Sequence, residues 1–264
     1  MSEFMIGGVP LDDIHAVQLE MLDEIDRICK ENRIQYFLSG GTLLGAVRHK
    51  GYIPWDDDID LWMTRKNYKR FKKAAKRQLS EPYFLMDYFT DIHYPLSILK
   101  VNKRGTRFVE GVFADLPIEK CIYVDIFPLD NICRPFYRLQ TAILIKMQAI
   151  RDFKLRGVGA SSKAKRILYS AVPLWLCRAI TELTMRFFNI FPTRLKNQLC
   201  HRGRYWPKFT SEDVGELIPG EFEGKQYPIP ANYDDILRRC YGDYMKLPPE
   251  DKQQPTHDIV ECKI

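Results

Sequence analysis

The chain has 264 residues, a net charge of +6 and an ordinary apolar share, enough for one large domain or two small ones. Seven scattered cysteines (Cys29, Cys121, Cys133, Cys177, Cys200, Cys240 and Cys262) are odd in number and form no CxxC. They argue against a disulfide framework or a zinc site, and for free thiols in a reducing cytosol. The N-terminus, MSEFMIGGVPLDD, lacks a basic stretch followed by an apolar run, so no signal peptide is expected. No apolar run nears the ~20 residues that span a bilayer. The nearest, Tyr169 to Phe191, is broken by Arg178, Glu182 and Arg186. No repeat or low-complexity tract is evident.

In chain order, Leu11 to Asn32 has helical spacing of apolar residues, with acids on the other side. Ile34 to Leu38 is a short run of strand type, ended by a Gly40-Gly41 turn. A short helix over Thr42 to Val47 follows. Ile53 to Met63, which carries four aspartates, reads as a strand. Thr64 caps a basic helix running to Leu79, with Tyr68, Phe71, Ala75 and Leu79 inward. Tyr83 to Phe89, Leu96 to Asn102 and Arg107 to Val112 read as strands. So does Cys121 to Phe127, closed by Pro128. Phe136 to Cys200 reads as several helices, with a linker at Gly157 to Ser162 and breaks at Pro173 and Pro192. The tail returns to loops around Gly220, Gly224, Pro228 and Pro230, then a helix at Tyr233 to Tyr241. The expected fold is α/β (α+β): a mixed-sheet core flanked by helices, with a basic helical insertion. The expected divisions are a catalytic core over 1–133, a helical subdomain over 134–210, and a segment over 211–264 that packs back on the core.

Asp56, Asp57, Asp58 and Asp60 fall within five residues, flanked by Trp55, Ile59, Leu61 and Trp62. On a strand, Asp56, Asp58 and Asp60 share one face, and Asp57, Ile59 and Leu61 take the other. Three carboxylates on one face repel strongly at low dielectric. Hard oxygen ligands at this spacing suit Mg²⁺ or Mn²⁺. A solvated acidic turn is the plainer alternative, but the apolar flanks argue against it. Asp125, inside the apolar run Val124-Asp125-Ile126, is a costly place for a charge without a partner and makes a natural further corner of the metal site. Ser39-Gly40-Gly41-Thr42 lets backbone approach a phosphate at a helix N-terminus. A phosphate cradle, basic residues and metal carboxylates together suit phosphoryl transfer.

At these residues the chain resembles the LicD family of the nucleotidyltransferase-fold superfamily. Gly40-Gly41, Asp58-Ile59-Asp60-Leu61 and Val124-Asp125-Ile126 match the superfamily pattern. The runs GTLLGAVRH (41–49) and GYIPWDDDID (51–60) match the family itself. Lys100 and the tail segments YPIPANY (227–233) and YGDYM (241–245) fit further family segments. The resemblance covers about residues 11–130 and 220–260. It implies transfer of a phospho-alcohol from a CDP-activated donor to a glycan hydroxyl, phosphocholine from CDP-choline being the best-known case and CDP-ribitol another. The products would be decorated lipopolysaccharide, teichoic acid or capsule. Fukutin-like relatives carry a membrane stem that is missing here, so the chain looks like the bacterial, cytosolic form.

Carried onto this sequence, Asp58 and Asp60 would bind one or two Mg²⁺ and Asp56 would hold the site. Asp125 would complete a metal position or accept the proton of the attacking hydroxyl. Gly40, Gly41 and Thr42 would hold donor phosphate, with Arg48 and Lys100 as phosphate clamps. Arg48 as a structural partner of Asp57 is the competing reading. A choline headgroup needs an aromatic box or an acid; Tyr36, Tyr52, Trp55, Tyr227 and Tyr233 are available, without an assignment. His49 and His257 lack partners at ligand spacing, and His49 is the better placed of the two.

From Arg134 to Arg204 there are 15 Lys/Arg against 2 Asp/Glu, whereas the rest of the chain has 25 against 32. This segment is either a soluble cap with a solvated basic face or a peripheral contact with an anionic membrane, where a lipid-linked acceptor would lie. No nucleic-acid-reading motif is present, and a non-catalytic binder would leave the aspartates unexplained. A nucleotidyltransferase that moves an NMP would use the same carboxylates.

Overall fold

A computed structural model describes residues 4–199 and 209–264. Cys200 and the end of the basic segment, with Arg202 and Arg204, lie outside the described residues. A small hairpin, β1 (Met5–Ile6) and β2 (Val9–Pro10), leads into α1 (Leu11–Glu31). The stripe Leu11, Ile14, Met21, Leu22, Ile25 and Ile28 is fully buried, and Asp12 and Asp13 sit in the first turn, where the helix dipole favours acids. β3 (Phe37–Leu38) keeps only the end of the Ile34–Leu38 run. Gly40 and Gly41 form the first turn of α2 (Gly40–Arg48), not a turn ahead of it.

β4 is confined to Asp60–Thr64, so the expected strand over Ile53–Met63 is an extended loop for most of its length. Apart from one backbone bond at its end, from the Asp125 N–H to the Ile59 carbonyl, side chains hold that loop across the chain. His15 Nε2 lies 2.7 Å from the Asp56 carbonyl, and Gln18 Nε2 donates to the Asp57 carbonyl at 2.9 Å. The Tyr52 N–H donates to Glu223 Oε1 at 2.9 Å. α3 (Arg65–Gln78) starts where Thr64 Oγ1 accepts from the Asn67 N–H, and Tyr68, Phe71 and Ala75 are its buried face.

β5 (Tyr83–Met86), β6 (Leu99–Lys103) and β7 (Arg107–Glu110) are shorter than the runs that announce them. β8 (Tyr123–Asn131) does the opposite and runs straight through Pro128. The Asp125 N–H points to β4, donating to the Ile59 carbonyl. Three residues on, Pro128 turns its missing N–H to the other edge. There the pairing with β6 has ended at Ile126 and the next strand begins only at Asp130, so no ladder bond is lost.

The basic segment holds α4 (Tyr137–Arg156), α5 (Lys163–Ala171) and α6 (Leu174–Ile190). It also supplies an unexpected strand, β9 (Leu195–Asn197), which pairs with the end of β8 and with β10 (Phe209–Thr210). The tail is not loops alone. β11 (Leu217–Phe222) and β12 (Lys225–Pro230) form a hairpin around Glu223 and Gly224, both at positive φ, the geometry of a two-residue hairpin turn. α7 (Tyr233–Tyr241) follows as expected, and β13 (Ile259–Lys263) pairs with β7. Six described cysteines are free thiols.

The fold is mixed α/β. In the main sheet β8 is central: β4 is parallel to it, and β6 and β9 are antiparallel. Leu61, Met63, Leu99, Val101, Val124 and Ile126 face the main core, where α1 and α3 pack. The alternate residues Asp60, Trp62, Ile98, Lys100, Asp125 and Phe127 face a cleft. Residues from β12, α7 and β13 also enter the main core, so the C-terminal segment closes it.

Arg65 at the start of α3 makes a bidentate pair with Asp130 of β8, at 2.7 and 2.6 Å, and Asn189 of α6 donates to the same carboxylate. Both charges are buried. Asp130→Ala, which strands the guanidinium, is expected to lower unfolding free energy by about 3–5 kcal/mol in urea titrations. A loss below about 1 kcal/mol would mean that the pair is solvated and contributes as a surface bridge does.

Candidate active site

The register of three strands places one carboxylate beside another. Asp60 of β4 is paired with Asp125 of β8, and Asp125 is paired with Lys100 of β6. These three form a single rung across the floor of the cleft. Lys100 Nζ lies 3.2 Å from Asp125 and 3.3 Å from Glu110, at the end of β7. It also sits over the Tyr123 ring.

Asp56 and Asp58 reach the same cleft from the clamped loop. The expected alternation therefore survives without the expected strand: Asp56, Asp58 and Asp60 face the cleft, while Asp57 turns away and is fully buried. Asp57 accepts from the His257 backbone N–H at 3.0 Å, and its other oxygen is 2.8 Å from His257 Nδ1. That arrangement leaves Nε2 toward the cleft, 4.0 Å from Asp58 Oδ2.

The electrostatics follow from burial and crowding. Burial, then the charges of Asp58 and Asp57, hold Asp56 well above the usual carboxylate range. Asp60 is raised in the same way by burial and by Asp58, Asp125 and Asp56. Burial pushes Asp58 up to about 7, against a pull downward from His257. Asp125 is raised by burial, with Lys100 opposing. Burial lowers the His257 imidazole, but the hydrogen bond to Asp57 and the charges of Asp58, Asp57 and Glu110 outweigh it and lift it to about 9.

The glycines belong to this crowding. A Cβ on Gly41 would stand 2.4 Å from Asp56 Oδ2, and one on Gly40 would stand 2.8 Å from Asp60 Oδ2. Gly40 is also at φ +55°, which L side chains seldom adopt. The first turn of α2 thus comes close to the carboxylates only because it carries no side chains there. Thr42 is buried behind the cleft wall, where its hydroxyl accepts from the Asp60 N–H at 2.9 Å. Arg48 lines the cleft and donates to the Tyr244 carbonyl at 2.8 Å. The partner of Asp57 is His257, not Arg48.

Four crowded carboxylates, Asp56 and Asp125 buried and Asp58 and Asp60 half-buried, are a set that a hard divalent cation suits. Among the described residues, the buried atoms Asp60 Oδ1 and Ser39 Oγ have no hydrogen-bond partner, which fits a ligand role for the Asp60 carboxylate. Asp57, Asp58 and His257 also bring one ligand atom each within 4.8 Å of one another. Of these, Asp57 is already engaged twice by His257, which makes it an orienting group.

The cleft measures about 980 Å³. Its walls include Gln148, Asp152 and Arg156 from α4 and Tyr241, Tyr244 and Lys246 from the tail. Of the aromatics considered for a cationic headgroup, Trp55 lines it. Tyr36 bonds the buried Asp26, Tyr227 bonds the half-buried Asp23, and Tyr52 stacks on His15. Glu110 and Tyr241 carry no site signal in the sequence, and of the two histidines weighed there it is His257, not the expected His49, that lines the cleft. His257 and Glu110 meet there because β13 pairs with β7, a contact that nothing in either local sequence announces.

Comparison with known proteins agrees with this geometry. The family model described as LicD/FKTN/FKRP, nucleotidyltransferase domain, matches residues 33–138, the span that holds the carboxylates. The lipopolysaccharide cholinephosphotransferase LicD of Haemophilus influenzae is 31% identical over 268 residues, covering 96% of this chain and 98% of that protein. Mannosyltransferase regulator 4 of Saccharomyces cerevisiae is 28% identical over 122 residues, 44% of this chain and 10% of that one. The human ribitol 5-phosphate transferase FKRP is 61% identical over 28 residues, 11% of this chain and 6% of that protein.

Two outcomes are expected. Gly41→Ala should displace Asp56 and lower turnover by about 100-fold, the scale of a 1 Å misplacement, with the unfolding midpoint little changed; unchanged turnover would show that the close approach is dispensable. The second concerns pH. Without a cation, folded Asp58 keeps its proton up to about 7, whereas its ordinary value is 3.8. Its stabilising contribution is therefore complete below about pH 4 and drains as pH rises through 7. In EDTA, Asp58→Asn should match the native chain at pH 4 and melt increasingly above it toward pH 8. A difference independent of pH would remove Asp58 as the titrating group.

Proposed function

This chain belongs to the LicD family and is a LicD-type phosphotransferase; we propose that it moves phosphocholine from CDP-choline to a hydroxyl of a cell-surface glycan, releasing CMP. The acceptor in this reading is lipopolysaccharide or a related teichoic acid or capsule glycan. The observation that carries the reading is the convergence of Asp56, Asp58, Asp60 and Asp125 at the glycine-opened first turn of α2, inside a cleft large enough for a nucleotide donor. The similarity to a lipopolysaccharide cholinephosphotransferase over nearly the whole chain supports the donor alcohol and the acceptor class.

The chemistry is an in-line displacement at phosphorus. The acceptor hydroxyl forms the new P–O bond, the P–O bond to CMP breaks, and the hydroxyl proton leaves to a base. Asp56, Asp58, Asp60 and Asp125 would hold Mg²⁺ or Mn²⁺. The metal would supply neutralisation of the pyrophosphate and of the departing CMP. Asp125, 3.2 Å from Lys100, is the carboxylate suited to take the proton where it does not serve as a metal ligand, and burial, which raises it, makes it the stronger base. The N–H groups of Gly40 and Gly41 face donor phosphate at the positive end of α2. Arg48 adds a cation to the same wall, and Asp57 fixes the His257 ring beside Asp58.

A panel of CDP-choline, CDP-ribitol, CDP-glycerol and CDP-ethanolamine, each with a glycan acceptor and Mg²⁺, tests this. CMP release with CDP-choline is expected, and Asp58→Ala or Asp60→Ala should lower it by at least about 10²–10³-fold. Release of pyrophosphate from a nucleoside triphosphate would instead make the protein a nucleotidyltransferase. Full activity in both variants would overturn the site.

A further inference from the structure

The outer face of α6 is apolar where solvent would ordinarily demand charge. Its inward stripe, Cys177, Thr181, Thr184, Met185 and Phe188, packs within the protein. The opposite stripe, Trp175, Leu183, Phe187 and Ile190, is 54–71% exposed. At 100° per residue these four and Arg186 fall within one third of the helix circumference. A helix that is apolar on both sides needs a second apolar partner. α5 adds Ile167 and Leu168, 65% and 59% exposed, beside Lys163, Lys165 and Arg166. Eleven of the twenty large apolar side chains exposed among the described residues lie between Phe136 and Phe191, so the concentration is local.

The charge of the segment is strongly one-sided, with two acids among its residues. Asp152 is buried in the cleft wall, and Glu182, at the edge of the ridge, accepts from the Tyr88 hydroxyl and lies 3.9 Å from Arg186. No helix among the described residues is long and apolar enough to cross a membrane. An apolar ridge within a segment of such basic excess is the chemistry of a helix lying in a lipid headgroup layer.

We infer that the outer face of α6 docks on an anionic bilayer surface, with Trp175, Leu183, Phe187 and Ile190 entering the interface and the lysines and arginines of the surrounding basic segment meeting lipid phosphates. The surface stands independently of the donor and acceptor assigned above. It bears on them because the same helical layer lends Gln148, Asp152 and Arg156 to the cleft wall, so a docked protein would keep its cleft next to a lipid-anchored acceptor.

Flotation of the full chain with vesicles of neutral phosphatidylcholine, with and without 30% phosphatidylglycerol, tests it. Binding to the anionic vesicles is expected to exceed that to neutral ones by about tenfold or more and to weaken at high salt. The double variant Leu183→Asp/Ile190→Asp should lose binding by at least about tenfold, while its CMP release from soluble donor and acceptor stays at the native level. Trp175→Ala gives a milder second variant with the same expected direction. Equal flotation on both vesicle types, or unchanged flotation of the variants, would overturn the inference. So would a native dimer in sedimentation that the double variant converts to monomer, since the face would then belong to a second copy of the chain.

Discussion

Everything in this molecule is arranged around the rung Asp60–Asp125–Lys100. Parallel pairing of β4 with β8 forces two carboxylates side by side on the floor of the cleft. Antiparallel pairing of β6 with β8 brings in one lysine, shared with Glu110. One lysine cannot offset Asp56, Asp58, Asp60, Asp125 and Glu110 together. Burial and mutual repulsion therefore hold the four aspartates above their ordinary range. A site in that condition favours whatever positive charge enters it. In the function proposed above, that same repulsion would supply affinity for a divalent cation.

Holding like charges together requires that they have nowhere to relax. The restraints come from groups with no chemistry of their own. His15 and Gln18 of α1 fix the carbonyls of Asp56 and Asp57, and Thr42 takes the Asp60 N–H. Gly40 and Gly41 remove the Cβ atoms that would push the carboxylates apart. The last strand then closes the site, since β13 carries His257 onto Asp57 from 200 residues away. A change in any of these would loosen the cluster without touching a ligand.

How much of this is legible in the sequence depends on the range of the interaction. Local patterns carry well: the apolar stripe of α1, the Thr64 cap, α7, and the facing of Asp56, Asp58 and Asp60. The alternation of those aspartates holds even though most of the segment is not a strand, because an extended backbone alternates its side chains whether or not a neighbour pairs with it. What fails is non-local. Pro128 reads as a stop but sits in a gap between two partner strands. Strand β9 is three residues long in a helical region and exists because the end of β8 needs a partner. The β11–β12 hairpin hides behind three prolines and a Glu-Gly turn in place of the usual Asn-Gly or Asp-Gly. Glu110 and His257 have no local signature, because their place in the site is decided by strand pairing across the whole chain.

The division of the cleft walls separates chemistry from selectivity. The carboxylates, the glycines, Arg48 and Lys100 all lie between residues 39 and 125, within the segment that the family model matches. Gln148, Asp152, Arg156, Tyr241, Tyr244 and Lys246 lie beyond it and form the opposite walls. In the function proposed above, a pyrophosphate and a metal would make the same demands of the rung and its glycines whatever alcohol is transferred. The alcohol and the acceptor would meet the walls, where an aromatic or a charge can change without disturbing the repulsive floor. The helical layer thereby has two working sides: α4 shapes the cleft from within, and α6 presents its apolar ridge outward.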